Sequence, residues 1–177
     1  MLASGTTVQW VGGFVFAALL VAACVADLRT RRIPNALVLS LVILGVIVAI
    51  ASRGLVSGGG RSLAGAGSGL AIWLPFWLLG MMGGGDVKLF AAGAAWLGPS
   101  GALEGALLAG LFGGVLSVGY LLFQHGFTYT FMRLSHGLQH PPALREAAPS
   151  KWDRRMPYAL AMCAGLAIEA WRPGILI

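Results

Sequence analysis

Charge is the scarcest property of this chain. Only 10% of its 177 residues are charged and six are acidic, where a soluble domain carries about a quarter. With 58% hydrophobic residues and a mean hydropathy of +0.83, an ordinary soluble domain is excluded and a polytopic membrane protein is left. Cysteine is nearly missing too. Cys24 and Cys163 stand alone in apolar runs, with no CxxC pair to seed a zinc or redox centre, and read as core thiols. Residues 1–10 hold no Lys or Arg, so the basic n-region of a secretory signal is lacking. Val21-Ala22-Ala23-Cys24 has the form of a lipobox, but the lacking n-region and the arginines after Asp27 argue for a helix that stays in the membrane. No P-loop, HExxH, Ser-x-x-Lys or Ser/His/Asp arrangement occurs. His136 and His140 lack a third ligand, so no metal is implied, and no organic cofactor either. The net charge of +6 describes a basic face turned to anionic lipid or the cytoplasm, and nucleic acid is excluded as a partner.

Crossing a bilayer core of about 30 Å takes about 20 helical residues. Six segments are expected to do so: residues 7–26, 35–51, 62–82 with a kink at Pro75, a fourth opening at Asp86 and stopped by Gly98-Pro99, 101–123 and 157–171. The fourth is short, because residues 87–97 rise only about 16 Å. The distribution of positive charge decides its status. With six spans and the N-terminus outside, Arg29, Arg31, Arg32, Lys88, Arg133, Arg145, Lys151, Arg154 and Arg155 are cytoplasmic, while Arg53, Arg61 and Arg172 are outside. That is nine against three, as the positive-inside rule requires, whereas a re-entrant fourth segment gives five against seven. The expected fold is all-α, one membrane-embedded domain over residues 1–177 with six transmembrane helices. Between the fifth and sixth, Phe127, Phe131, Leu134 and Leu138 recur at helical spacing opposite Arg133, His136 and Gln139, describing an interfacial amphipathic helix. Residues 141–155 read as a loop and Ser57-Gly58-Gly59-Gly60 as a flexible connector. Gly65/Gly69 and Gly101/Gly105 are small-xxx-small pairs that let helices approach.

Asp27 and Asp86 stand at the edges of apolar stretches, where ionisable groups are costly and mark function by default. Each also has a purely structural reading. Asp86 follows Gly83-Gly84-Gly85 and opens a helix, as an N-cap does; Asp27 closes one beside Arg29, Arg31 and Arg32, with which it can pair. Placed on one side of the membrane in a chain with six acids, the two favour a shared site. Two carboxylates held close cannot both ionise easily, so one keeps a proton while the other is charged. The charged one deprotonates a water that attacks a peptide carbonyl, and the protonated one polarises that carbonyl. Helix-end electrostatics favour the charge on Asp86 and the proton on Asp27; the three arginines act in the opposite direction. Gly83 to Gly85 admit an extended substrate backbone and leave Asp86 room to turn toward Asp27. Lys88 lies off the helical face of Asp86 and serves either lipid phosphate or substrate. Pro34 starts the second helix. Glu104 and Glu169 fall near the outer side, out of reach of both aspartates, and Asp153 is solvated.

The segment from Asp27 through Arg31 or Arg32 to Ile33-Pro34-Asn35, together with Gly83-Gly84-Gly85-Asp86-Val87-Lys88, resembles the type IV prepilin peptidase family of GxGD aspartyl proteases. Met156-Pro157-Tyr158-Ala159 is similar to that family's C-terminal signature. The resemblance implies that Asp27 and Asp86 are catalytic, with Arg32, Pro34, Asn35, Gly83, Gly84, Gly85, Lys88 and Pro157 around them. It implies a prepilin or pseudopilin substrate whose leader is cut at the cytoplasmic face of the inner membrane, after a glycine and just before the hydrophobic helix. Longer members carry a soluble domain with paired cysteines that this sequence lacks, so the resemblance does not extend to methylating the new N-terminus. The length is similar to the short form that serves tight-adherence (Flp-type) pili. The alternative is a proton-coupled transporter or pilus-assembly scaffold using the same aspartates as a relay, which would place them near the midplane with access from both sides. Oligomeric state is not legible.

Overall fold

The structure is a computed structural model that describes residues 7–30, 32–139 and 158–171. Every element among them is helical: α1 (Thr7–Thr30), α2 (Asn35–Arg53), α3 (Leu55–Leu78), α4 (Gly84–Gln139) and α5 (Tyr158–Trp171). Against the six spans expected, the stretches Trp10–Thr30, Asn35–Arg53 and Gly84–Ser117 are, among the described residues, the three candidate spans long and apolar enough to cross a bilayer. The last helix has 14 residues, about 21 Å of rise, and is shorter than a full span.

The centre of the fold is α4, which packs on α3 and α5 and is flanked by α2 and α1. Although its hydrogen bonding is helical throughout, it does not run straight. Gly98 takes φ +81°, a left-handed conformation that glycine adopts without cost, and Pro99 follows. As a result Gly105 lies against Phe90 and Leu97: a Cβ placed on it would be 3.7 Å from the Phe90 ring and 3.8 Å from Leu97. Fifteen residues of straight helix would separate positions 90 and 105 by about 22 Å. The chain therefore doubles back at Gly98-Pro99 into two arms. Arg61 crosses this reversal and donates to the Leu97 carbonyl at 2.7 Å, placing a cation on the orphan carbonyls that end the first arm. Gly98→Ala is expected to destabilise the fold by about 1–2 kcal/mol from left-handed backbone alone. A Cβ there would also stand 2.6 Å from the Arg61 guanidinium carbon. A fall in the detergent-solubilised melting temperature, followed by circular dichroism, measures the sum.

Leu89, Phe90, Ala92, Ala94, Ala95 and Leu97 are all buried, so the first arm is surrounded by protein and apolar all round, as a central helix must be. Its small side chains let neighbours come close. A Cβ on Gly69 would lie 2.7 Å from the Ala94 methyl; one on Gly65 would collide with the Ala94 carbonyl; one on Gly93 would collide with Leu166 of α5. Gly101 sits by Leu97 and Glu169, and Gly105 by Leu166, so both expected glycine pairs are at packing contacts.

Several boundaries differ from expectation, each for a tertiary reason. The glycine run at 57–60 is helical, in the first two turns of α3, because a Cβ on Gly58 would collide with the Ala49 carbonyl of α2. Glycine serves close approach here, not flexibility. The third helix spans 55–78 instead of 62–82 and ends in a Schellman turn, with Gly80 at φ +72° and bonds Met81 N to Phe76 O and Gly80 N to Trp77 O, each 2.9 Å. The first helix runs four residues past 26, to Thr30, whose hydroxyl lies 2.8 Å from the Ala26 carbonyl and 2.9 Å from that of Arg32. Pro34 is the N-cap of α2 rather than its first residue. The backbone from 123 to 139 continues the second arm without a break; the facing of Phe127, Phe131, Leu134 and Leu138 lies outside the described side chains, as does the loop 141–155.

Candidate active site

The two motifs converge at one end of the bundle. Asp27 is three residues from the end of α1 and Asp86 is the third residue of α4. The α1–α2 link brings Ile33 against the glycine loop: a Cβ on Gly85 would lie 3.9 Å from the Ile33 side chain. Asp27 and Asp86 are both half-buried and close enough to feel one another's charge.

Local geometry around Asp86 follows from the three glycines. Gly83 precedes the first helical residue, and Asp86 N donates to the Gly83 carbonyl at 3.2 Å, as does Val87 N at 3.4 Å. The Asp86 carboxylate in turn accepts from the Gly83 N–H. The acid at the third helical position thus supplies one half of a capping box, its carboxylate reaching back to the N-cap N–H, while Gly83 has no side chain to supply the other. The structural reading of Asp86 as the N-cap itself is thus corrected: Gly83 is the N-cap. A Cβ on Gly83 would be 3.2 Å from Asp86 Oδ2, and one on Gly84 would be 3.1 Å from Trp77 Nε1, so side chains at these positions would crowd the carboxylate and the end of α3. Arg32, Pro34, Asn35 and Lys88 are exposed around the site. Arg31 and Pro157 lie outside the described residues.

The cysteines were missed as neighbours of this site. Cys163 of α5 is buried and Cys24 of α1 half-buried. Their thiols are in hydrogen-bond contact, and Cys163 Sγ lies 3.5 Å from the Leu20 carbonyl, one turn before Cys24. Cys163 also lies within reach of the charges of both aspartates. The pair therefore packs α5 onto α1 beside the acids. The only sequence signal was Cys24 standing three residues before Asp27, on the same helical face; nothing in the sequence pointed to Cys163. Glu104 and Glu169 are both buried, and Glu169 packs over Gly101 near the reversal of α4, away from the aspartates. Among the described residues no group of three metal-ligating side chains occurs.

Against known families, residues 14–118 match the model of the type IV leader peptidase family. The matched stretch covers more than half of the chain and includes both aspartates and both motifs. This chain belongs to the type IV leader peptidase family. Across 115 residues it is 36% identical to a prepilin leader peptidase/N-methyltransferase of Xanthomonas campestris pv. campestris, an alignment covering 61% of this chain and 39% of that protein. The chain thus spans well under half the length of that relative. No solved structure gives a significant match.

Proposed function

We propose that this chain is a membrane aspartyl endopeptidase that removes the leader of type IV, Flp-like prepilins or pseudopilins at the cytoplasmic face of the inner membrane. The observation that carries the reading is the meeting of Asp27 and Asp86 at one end of the bundle, within reach of each other's charge and inside the family match. Two such carboxylates share a proton, and the titration belongs to the pair. The ionised member takes a proton from water as the oxygen attacks the scissile carbonyl. The protonated member donates to the carbonyl oxygen and supports the tetrahedral intermediate, and proton return to the amine nitrogen releases the leader. The exposed glycine turn leaves space for an extended peptide next to Asp86, and Lys88 and Arg32 offer positive charge at the rim.

A proton relay through the membrane would place its acids near the midplane. Here both lie at the same end of the bundle, Asp27 where α1 finishes and Asp86 where α4 begins, which supports the peptidase reading. The first arm of α4, from 84 to 97, rises about 20 Å, so Asp86 is recessed below the lipid surface in a water-filled notch of a locally thinned bilayer. In the six-span topology the aspartates, Lys88 and the 124–156 segment are cytoplasmic. This predicts the labelling of single cysteines placed in a Cys24→Ser, Cys163→Ser background. Ser57→Cys, exposed in the first turn of α3, should react with a membrane-impermeant maleimide added to intact cells, and Ser150→Cys should react only after permeabilisation. Labelling of Ser150→Cys in intact cells would reverse the sidedness. The activity itself is tested by incubating the purified protein with a prepilin and following leader loss.

A further inference from the structure

At the end of the bundle away from the aspartates, α1, α2, the start of α3, the first arm of α4 and the end of α5 enclose a cavity of about 340 Å³. Its walls are apolar. Phe16 and Trp96 stack at 5.0 Å between ring centroids, and Trp96 is fixed by donating to the Leu41 carbonyl at 2.8 Å; Trp171 closes one side. Its polar groups are few. Ser52, Arg53, Arg61 and Ser62 line it, and among the described residues no carboxylate does.

Three observations bear on what fills it. The guanidiniums of Arg53 and Arg61 are close enough to repel each other, so the described lining carries positive charge and no negative. Ser62 is 1% exposed and its hydroxyl has no hydrogen-bond partner, although a buried hydroxyl ordinarily finds one. Arg53 is exposed at the far end of α2, about 27 Å along the helix axis from Asn35 beside the active site, which is close to the thickness of the hydrocarbon core. An extended acyl chain fits such a slot.

We propose that this cavity binds one anionic phospholipid from the leaflet opposite the aspartates, with its phosphate between Arg53 and Arg61, an ester oxygen accepting from Ser62, and an acyl chain against Phe16 and Trp96. Binding is independent of peptidase chemistry and would tie α1, α2 and α3 together at the end remote from the site.

Native mass spectrometry of the detergent-purified chain, titrated with phosphatidylglycerol or phosphatidylcholine of matched chains, tests this. Each arginine near a phosphate contributes about fivefold. One phosphatidylglycerol should therefore be retained about twentyfold more tightly than phosphatidylcholine, and Arg53→Gln should weaken phosphatidylglycerol about fivefold and phosphatidylcholine, whose phosphate is offset by its own ammonium, by less. Ala17→Phe fills the slot from an exposed position on α1 and should abolish retention of both. Millimolar inorganic phosphate should not displace the lipid. Arg61 is left intact because it holds the Leu97 carbonyl. Equal retention of the two lipids, retention of neither, a phosphatidylglycerol affinity unchanged by Arg53→Gln or Ala17→Phe, or displacement by inorganic phosphate would each overturn the proposal. Circular dichroism confirms that both variants are folded.

Discussion

Asp27→Asn and Asp86→Asn should each reduce prepilin cleavage at least about 1,000-fold while leaving the protein inserted and folded. Removing a group that moves a proton in the transition state costs about 10²- to 10⁴-fold, and here one acid must accept a proton while its partner donates one, so neither substitutes for the other. Asparagine keeps the size and hydrogen-bonding outline of the carboxyl. The Asp86→Asn side chain retains an oxygen to accept from the Gly83 N–H, so the turn that opens α4 survives. The measurement is cleavage of a purified prepilin by each variant, with melting temperature as a check on folding. An Asp86→Asn variant that is inactive and also unfolded would show that the capping role of this side chain dominates; one that is folded and inactive separates chemistry from capping.

The second large effect is structural. Gly65→Val should destabilise the protein by about 3 kcal/mol, the upper end of overpacking costs, because its Cβ would collide with the Ala94 carbonyl and stand 2.7 Å from the Gly98 Cα. Backbone cannot rotate away as a side chain tip can, so α3 must lift from the first arm of α4. Against a total stability of about 5–15 kcal/mol, this should appear as loss of folded protein from membranes. Gly67, on the same helix with open space around its Cβ position, is the control. Gly67→Ala should be neutral or stabilising by about 0.5–1 kcal/mol, as measured by thermal melting of the two variants side by side. A Gly65→Val variant as stable as Gly67→Ala would show that α3 does not depend on close approach at Gly65.

The aspartate motifs were legible because their chemistry is written locally: a carboxylate beside arginines and Ile33-Pro34-Asn35, and another after three glycines. Their meeting is seen at the Ile33–Gly85 contact, and the charge distribution leads to the expectation that both share one side. The reversal at Gly98-Pro99 was legible as a stop signal, and the structure shows the chain folding back there. What sequence reasoning missed was decided by partners distant in the chain. Nothing local distinguishes a flexible Ser57-Gly58-Gly59-Gly60 from a helix whose glycines admit the Ala49 backbone. Helix α1 outruns its expected end because the Thr30 hydroxyl finds the Ala26 and Arg32 carbonyls. The pairing of Cys24 with Cys163 spans most of the chain and leaves no spacing to read.

Whether Asp27 and Asp86 together cut a prepilin leader is tested most directly by mass spectrometry of a purified prepilin after incubation with the purified chain in liposomes. Wild-type protein should give two products, with the break after a glycine just before the hydrophobic helix, and Asp27→Asn, Asp86→Asn or both should leave the prepilin intact. Undiminished leader loss with the double variant, or an intact prepilin after incubation with folded wild-type protein, would contradict the peptidase reading.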